Sequence, residues 1–183
     1  MKSALVLLAT GAEEMETTIV VDVLRRATID VVLAGIDGVA PVTCSRGVRI
    51  VPDSALTDVS ADFDVVILPG GGPGAERLAA SPAVGDRLRR QCARKGLVAA
   101  ICAAPTALLA HGIAGGATIT SHPSVRQQLS GSYKLSDERV VVDERLITSQ
   151  GPGTTFEFAL QIVKTLLGEE VATKVATPMI LKS

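Results

Sequence analysis

Three stretches of this chain are apolar at every position: Ala4–Ala9, Val65–Leu68 and Leu97–Ile101. A strand with one face in water alternates polar and apolar residues, whereas a strand buried on both faces has no need to. Each run ends at a turn signal: Thr10-Gly11, the segment Pro69–Gly74, and Cys102 shortly before Pro105. The pattern predicts an α/β protein, a layered sandwich whose mainly parallel central sheet is covered by helices on both faces. Composition agrees, because aromatic residues are only 2% (Phe63, Tyr133, Phe156 and Phe158). Val, Ile, Leu and Ala must therefore build the core.

After Ala12 the apolar period lengthens to three or four, through Met15, Ile19, Val23 and Ala27. Glu13, Glu14 and Glu16 fall in the first turn and Arg25 and Arg26 in the last, a charge order that suits a helix dipole. Ile29–Gly35 then completes strand–helix–strand. Pro41–Ser45 and Val48–Val51, separated by Arg46-Gly47, suggest a small antiparallel excursion. Ser81-Pro82 is a helix start, with Val84, Leu88 and Cys92 in inward register and Lys95-Gly96 as the stop. Further on, Arg139–Val142 and Leu146–Thr148 read as strands. Thr155–Leu167 reads as a helix packing through Phe158, Ile162, Val163 and Leu166. No linker or repeat divides the chain, so residues 1–183 are expected to form one domain, with 169–183 as its C-terminal extension.

The 18 basic and 19 acidic residues leave a formal charge of -1, without the basic footprint of a dedicated nucleic-acid binder. No run approaches the roughly 18 to 20 apolar residues of a transmembrane segment. The N-terminal apolar run is too short for a secretory leader and gives way to acidic residues. Three cysteines, Cys44, Cys92 and Cys102, are too few and odd in number for a disulfide scaffold, and with two histidines they form no zinc spacing. The expectation is a cytoplasmic protein with reduced thiols, no metal and no cofactor.

In parallel α/β sheets, ligands gather beyond the carboxyl ends of the strands. Cys102 stands at one such exit, where a strand-to-helix elbow projects its side chain among free amides that favour a thiolate or an oxyanion. The competing reading is a small inert core residue. Cys92 shares the register of Val84 and Leu88 and reads as core, and Cys44 reads as structural. Glu16 is either a surface acid compensating the helix dipole or, if its helix starts above the strand ends, a carboxyl meeting Cys102. Buried there, it would stay protonated or act as an acid/base. His122, held extended by Pro123, is a third candidate whose reach to Cys102 spacing does not decide. The run Pro69–Gly74 lacks the phosphate-loop signature and is a tight turn that can present amides.

The segments GAEEMET at Gly11–Thr17, LPGG at Leu68–Gly71, AAICAAPTALLAHG at Ala99–Gly112, SHP at Ser121–Pro123 and GPGTTFEFAL at Gly151–Leu160 resemble the PfpI family. Within it, they are most similar to a branch associated with oxidative stress and deglycase activity. The resemblance runs in the same order along essentially the whole chain. It implies a flavodoxin-like three-layer sandwich, a homodimer and a reactive Cys102. It also implies Glu16 as the protonated carboxyl beside that thiol, and His122 as the nearby imidazole. The turn through Gly70 and Gly71, with Ala103, would be the anion-stabilising pocket. Arg26 and Arg46 resemble pocket arginines, Arg46 reaching across the dimer, and Glu169–Lys182 resembles an added helix and tail partly covering the site. Three positions depart from the pattern. Ala103 stands where peptidase-like relatives have His, Val51 where near relatives have Cys, and Gln150 where Arg is expected.

The resemblance thus implies cysteine-dependent chemistry on small reactive dicarbonyls such as methylglyoxal, or on their thiol and amine adducts, without a cofactor. The alternative is a non-enzymatic redox sensor and chaperone with protein clients, working through oxidation of Cys102. A cysteine peptidase is the third reading, weakened by Ala103 and by the lack of a residue to orient His122. Nuclear and mitochondrial pools are expected beside the cytoplasmic one.

Overall fold

The computed structural model describes residues 1–182. Its strands are β1 (Ser3–Leu8), β2 (Asp30–Gly35), β3 (Val42–Thr43), β4 (Arg49–Ile50), β5 (Ser54–Ala55), β6 (Val65–Leu68), β7 (Leu97–Ile101), β8 (Thr118–Ile119), β9 (Lys134–Leu135), β10 (Val140–Asp143) and β11 (Leu146–Ser149). Its helices are α1 (Glu14–Arg26), α2 (Gly72–Ala80), α3 (Pro82–Ala93), α4 (Pro105–Ala110), α5 (Arg126–Leu129), α6 (Thr155–Leu167) and α7 (Glu169–Ala176).

Seven strands form one sheet in the order β10-β11-β7-β6-β1-β2-β5. Every pairing in it is parallel except the β10–β11 hairpin. The three apolar runs become the neighbours β1, β6 and β7. Their alternate residues feed two separate cores, which is why no position in them is polar. On one face Ala4, Val6, Leu8, Ile67 and Ala99 pack with Val20, Val23 and Leu24 of α1 and Phe158, Ile162 and Val163 of α6. On the other, Leu5, Leu7, Val66, Leu68 and Val98 pack with Leu78 of α2, Val84 and Leu88 of α3, and Leu108 of α4. This is the expected flavodoxin-like three-layer sandwich. No described helix is long and apolar enough to cross a membrane.

Several local expectations need correction. The segment beginning Gly72-Pro73-Gly74 is the first turn of α2 rather than plain loop; Pro73 costs no hydrogen bond there, and Ala75 and Leu78 turn inward. In α3 the inward residue is Gln91, and Cys92 is exposed. The Gln91 amide donates to the carbonyls of Phe63 and Leu97, so a polar side chain takes the core-facing position. In α1 Met15 is 50% exposed while Glu14, Glu16 and Thr17 are buried. The start of that helix faces the strand exits and not the core.

Candidate functional site

The order β2-β1-β6-β7 changes direction beside β1, which opens a crevice at the carboxyl ends of these strands. Three chain segments meet there. The α1 start is tied to the glycine turn: the amide of Glu13 donates to the carbonyl of Gly70 at 3.0 Å, and that of Gly74 to Gly11 at 3.2 Å. Glu13 caps the helix by accepting from the amide of Glu16 at 2.8 Å. This turns the Glu16 side chain under the glycine turn, where it is fully buried.

Cys102 follows β7 with φ at 63°, a left-handed conformation costing about 1–3 kcal/mol for a residue with a side chain. The surroundings hold it there. Its amide donates to Ser149 of β11 at 3.0 Å, and its carbonyl accepts from the amide of His122 at 2.8 Å. Its thiol faces the amides of Gly71 and Ala103 and the carboxyl of Glu16. Gly71 has φ at 86°, and an added Cβ would lie 2.4 Å from the carbonyl oxygen of Gly11. A residue with a side chain could not bring that amide to the sulfur.

The amide of Gly70 donates to Oε2 of Glu16 at 2.7 Å. Oε1 of Glu16 is buried and is the described side-chain atom left without a hydrogen-bond partner of ordinary geometry. Burial raises the Glu16 carboxyl to about 7 from its ordinary 4.5, against the lowering pull of the Gly70 amide and the Cys102 thiol. Burial also pushes the Cys102 thiol up to about 12, helped by the negative charge of ionised Glu16 and opposed by the Gly71 and Ala103 amides. That is the reverse of what the elbow position alone suggests. The carboxyl and the thiol form one interacting pair, whose proton losses belong to both groups together.

The other sequence candidates divide. His122 comes to the crevice through its main chain, but its ring is occupied on one side. Nδ1 accepts from the Ser124 amide at 3.2 Å and lies 2.8 Å from Ser124 Oγ. Accepting at Nδ1 sets the neutral ring's proton on Nε2. Arg46 sits on the exposed β3–β4 turn, its amide held by Oε1 of Glu14 at 2.8 Å. Arg26 is not at the crevice. It lies ten residues beyond Glu16 along α1, about 15 Å away, and pairs with Asp22 at 2.6 Å. Helix α7 packs on α6 and borders a groove with Arg26 and Thr28, so within this chain it covers the far end of α1 rather than Cys102.

Two residues escaped sequence reasoning. Glu14 is buried, and its carboxylate accepts from Ser45 Oγ and from the Arg46 amide, both at 2.8 Å, which anchors the β3–β4 turn and lowers its pKa. Ser124 fixes the His122 ring. Nothing in an EEMET string separates a buried Glu14 from a half-buried Glu13. Among the described residues, no group of three His, Cys, Asp or Glu side chains is arranged to hold a metal ion.

The profile of the DJ-1/PfpI family matches residues 2–165. The chain is 58% identical over 185 residues to the Parkinson disease protein 7 homolog of Danio rerio, covering 99% of this chain and 98% of that one. It is 48% identical over 183 residues to a Caenorhabditis elegans protein named glutathione-independent glyoxalase, with 98% and 97% covered. The crystal structure of Drosophila melanogaster DJ-1beta matches with a TM-score of 0.98 at 52% identity, over 100% of this chain and 99% of that chain. A structure of oxidized DJ-1 from Toxoplasma gondii matches with a TM-score of 0.93 at 34% identity, over 100% of both chains.

Proposed function

The chain belongs to the DJ-1/PfpI family, and on that premise we propose that it protects against oxidative and reactive-carbonyl stress as a cofactor-independent enzyme of glyoxalase and deglycase type. One observation carries the reading: a fully buried carboxyl raised to about 7, Glu16, beside the elbow thiol of Cys102. A carboxyl so tuned holds or releases a proton near neutral pH, as general acid–base chemistry requires. While Glu16 keeps its proton it places no charge beside the sulfur, and an O–H at Oε1 has a Cys102 thiolate to donate to. Burial holds the resting proton on sulfur, so the reactive thiolate forms as the thiol passes its proton to the Glu16 carboxylate, and the Gly71 and Ala103 amides lower the cost of that transfer.

The thiolate adds to the aldehyde carbon of methylglyoxal, and the carbonyl oxygen takes the proton from Glu16. The resulting Glu16 carboxylate removes the hydrogen from the carbon bearing sulfur, and that proton is returned to the neighbouring carbon. This internal redox exchange oxidises the aldehyde carbon to a thioester and reduces the ketone to an alcohol. Water cleaves the thioester, releasing lactate and regenerating the thiol. A hemithioacetal or aminocarbinol joins this route once its carbinol O–H gives up its proton and the C–S or C–N bond breaks, restoring the aldehyde and releasing the thiol or amine with that proton, which is deglycation. In this reading Gly70 positions Glu16, while Gly71 and Ala103 stabilise the oxyanion. His122 donates from Nε2 to place substrate. The relative named as a glyoxalase supports the substrate class.

Redox sensing is a second reading, supported by the solved relative in oxidized form. Oxidation of the Cys102 sulfur would give Oε1 of Glu16 a partner oxygen. Steady-state turnover of methylglyoxal to lactate by metal-free protein separates the two, since a sensor consumes oxidant without multiple turnovers. A peptidase role is disfavoured by the occupied Nδ1 of His122, which leaves its ring without a free basic nitrogen.

We read residues 1–183 as one domain, supported by the packing of α7 on α6. We also read the protein as a cytoplasmic homodimer, with nuclear and mitochondrial pools. The exposed Met15, Val48 and Val51 and the exposed Arg46 turn beside the crevice favour that association.

A further inference from the structure

A cleft of about 1020 Å³ opens at the amino ends of β7 and β11. Cys102 lies beyond the other end of β7, about 17 Å away along the strand. The cleft floor is apolar, formed by the buried side chains of Val98, Ile113 and Leu146. Its rim carries three exposed cations, Lys95, Lys134 and Arg145. None of them forms an ion pair among the described residues, although Arg and Lys elsewhere pair widely.

Two acids share the lining. The carboxylate of Asp143 is engaged, accepting from the Thr118 amide at 2.6 Å. Glu144 stands at the tip of the β10–β11 hairpin with φ at 49°. Positive charge therefore prevails on the rim, three groups against two. Two further left-handed residues with side chains, Lys95 and Ala114, border the same cleft, so tight turns fix its edges. An apolar floor under an unpaired cationic rim is complementary to a ligand with a hydrophobic body and an acidic end.

We propose that this cleft binds a small amphipathic organic anion, its apolar body on Val98, Ile113 and Leu146 and its carboxylate or sulfonate between Lys95, Lys134 and Arg145. The site is separate from Cys102 and independent of the carbonyl chemistry assigned there. Cys92 is exposed and lines the same cleft, so an occupant shields it.

The test is a fluorescence titration with anilinonaphthalene sulfonate on Cys102→Ser protein, repeated on that protein carrying Lys95→Glu and Lys134→Glu, and separately Arg145→Glu. Iodoacetamide labelling of Cys92, resolved by peptide mass spectrometry, accompanies each titration. The expected result is saturable binding, weakened about tenfold by the paired reversal and less by Arg145→Glu. Cys92 labelling should slow at saturation while Cys44 labelling does not change. With Cys102 intact, the charge-reversed protein should turn over methylglyoxal as the wild type does, which keeps this proposal distinguishable from the catalytic one. Absence of saturable binding, affinity unchanged by both reversals, or Cys92 labelling unaffected by the probe would each overturn it.

Discussion

The amide of Gly70 donates to Oε2 of Glu16 at 2.7 Å, and the space that a side chain at Gly70 would need is already taken by the site itself. A Cβ there would lie 2.5 Å from Cys102 Cβ, 2.8 Å from Glu16 Oε2 and 2.8 Å from the Ile101 carbonyl oxygen. Two of these atoms belong to the proposed reacting pair, and the third is main chain that has little room to move.

Gly70→Ala should therefore destabilise the fold by about 1–3 kcal/mol and lower lactate formation beyond what the lost folded fraction explains. Gly131→Ala is the control, since a Cβ there meets nothing within 4 Å. Urea denaturation and kinetics on both variants check the contrast; equal behaviour would remove the steric argument.

Glu16 should also give stability a pH signature. Its folded value, about 7, lies above its ordinary 4.5, so between those limits the native state binds more protons than the unfolded one. Its contribution is then greatest below about 4.5 and is lost as pH rises through about 7. The loss is on the order of 3 kcal/mol. Glu14 and Asp64, whose values are lowered, act with the opposite sign, contributing above their unfolded values and losing that contribution in acid. The Glu16 part is isolated by subtracting the Glu16→Gln profile, and a flat difference from pH 4.5 to 7 would contradict the burial argument.

The sheet was legible because β1 from Ala4 onward, β6 and β7 are buried on both faces and carry no polar residue to blur the signal. The Cys102 elbow was legible for the same reason, since a fully apolar strand running into a turn marks its own end. What failed were choices between neighbouring positions on a helix. Spacing of three or four admits both Gln91 and Cys92, and only the carbonyls of Phe63 and Leu97 decide for Gln91. Likewise α1 carries three acids in one turn, and burial of Glu14 and Glu16 follows from contacts more than thirty residues away, with Ser45 and Gly70. Arg26 was assigned to the site through resemblance alone, and the length of α1 separates it.

Cys92 is exposed, where its register with Val84 and Leu88 had pointed to the core. Cys92 should alkylate faster than Cys44 in the folded protein, because Cys92 is exposed while burial and the charges of Glu14 and Glu13 push the Cys44 thiol up to about 11. Timed iodoacetamide labelling read by peptide mass spectrometry measures this. Faster labelling of Cys44 than of Cys92 would contradict it.

His122→Ala should impair lactate formation through substrate placement, by much less than loss of the nucleophile does. Ser124→Ala should produce a smaller version of the same defect, because it removes the Oγ contact to Nδ1 while the main-chain amide still donates there. No peptide cleavage should accompany either protein. Peptide turnover in the wild type that disappears in His122→Ala would restore the peptidase reading.

In the proposed reaction everything follows from Cys102 forming the bond to the carbonyl carbon. Lactate formation from methylglyoxal, followed on metal-free wild-type, Glu16→Gln and Cys102→Ser proteins of verified fold, tests it most directly. Wild-type protein should complete many turnovers per chain, with a loss of about 100-fold to 10,000-fold in Glu16→Gln and of at least about 1,000-fold in Cys102→Ser. Lactate formation by Cys102→Ser at a rate near that of the wild type would contradict it.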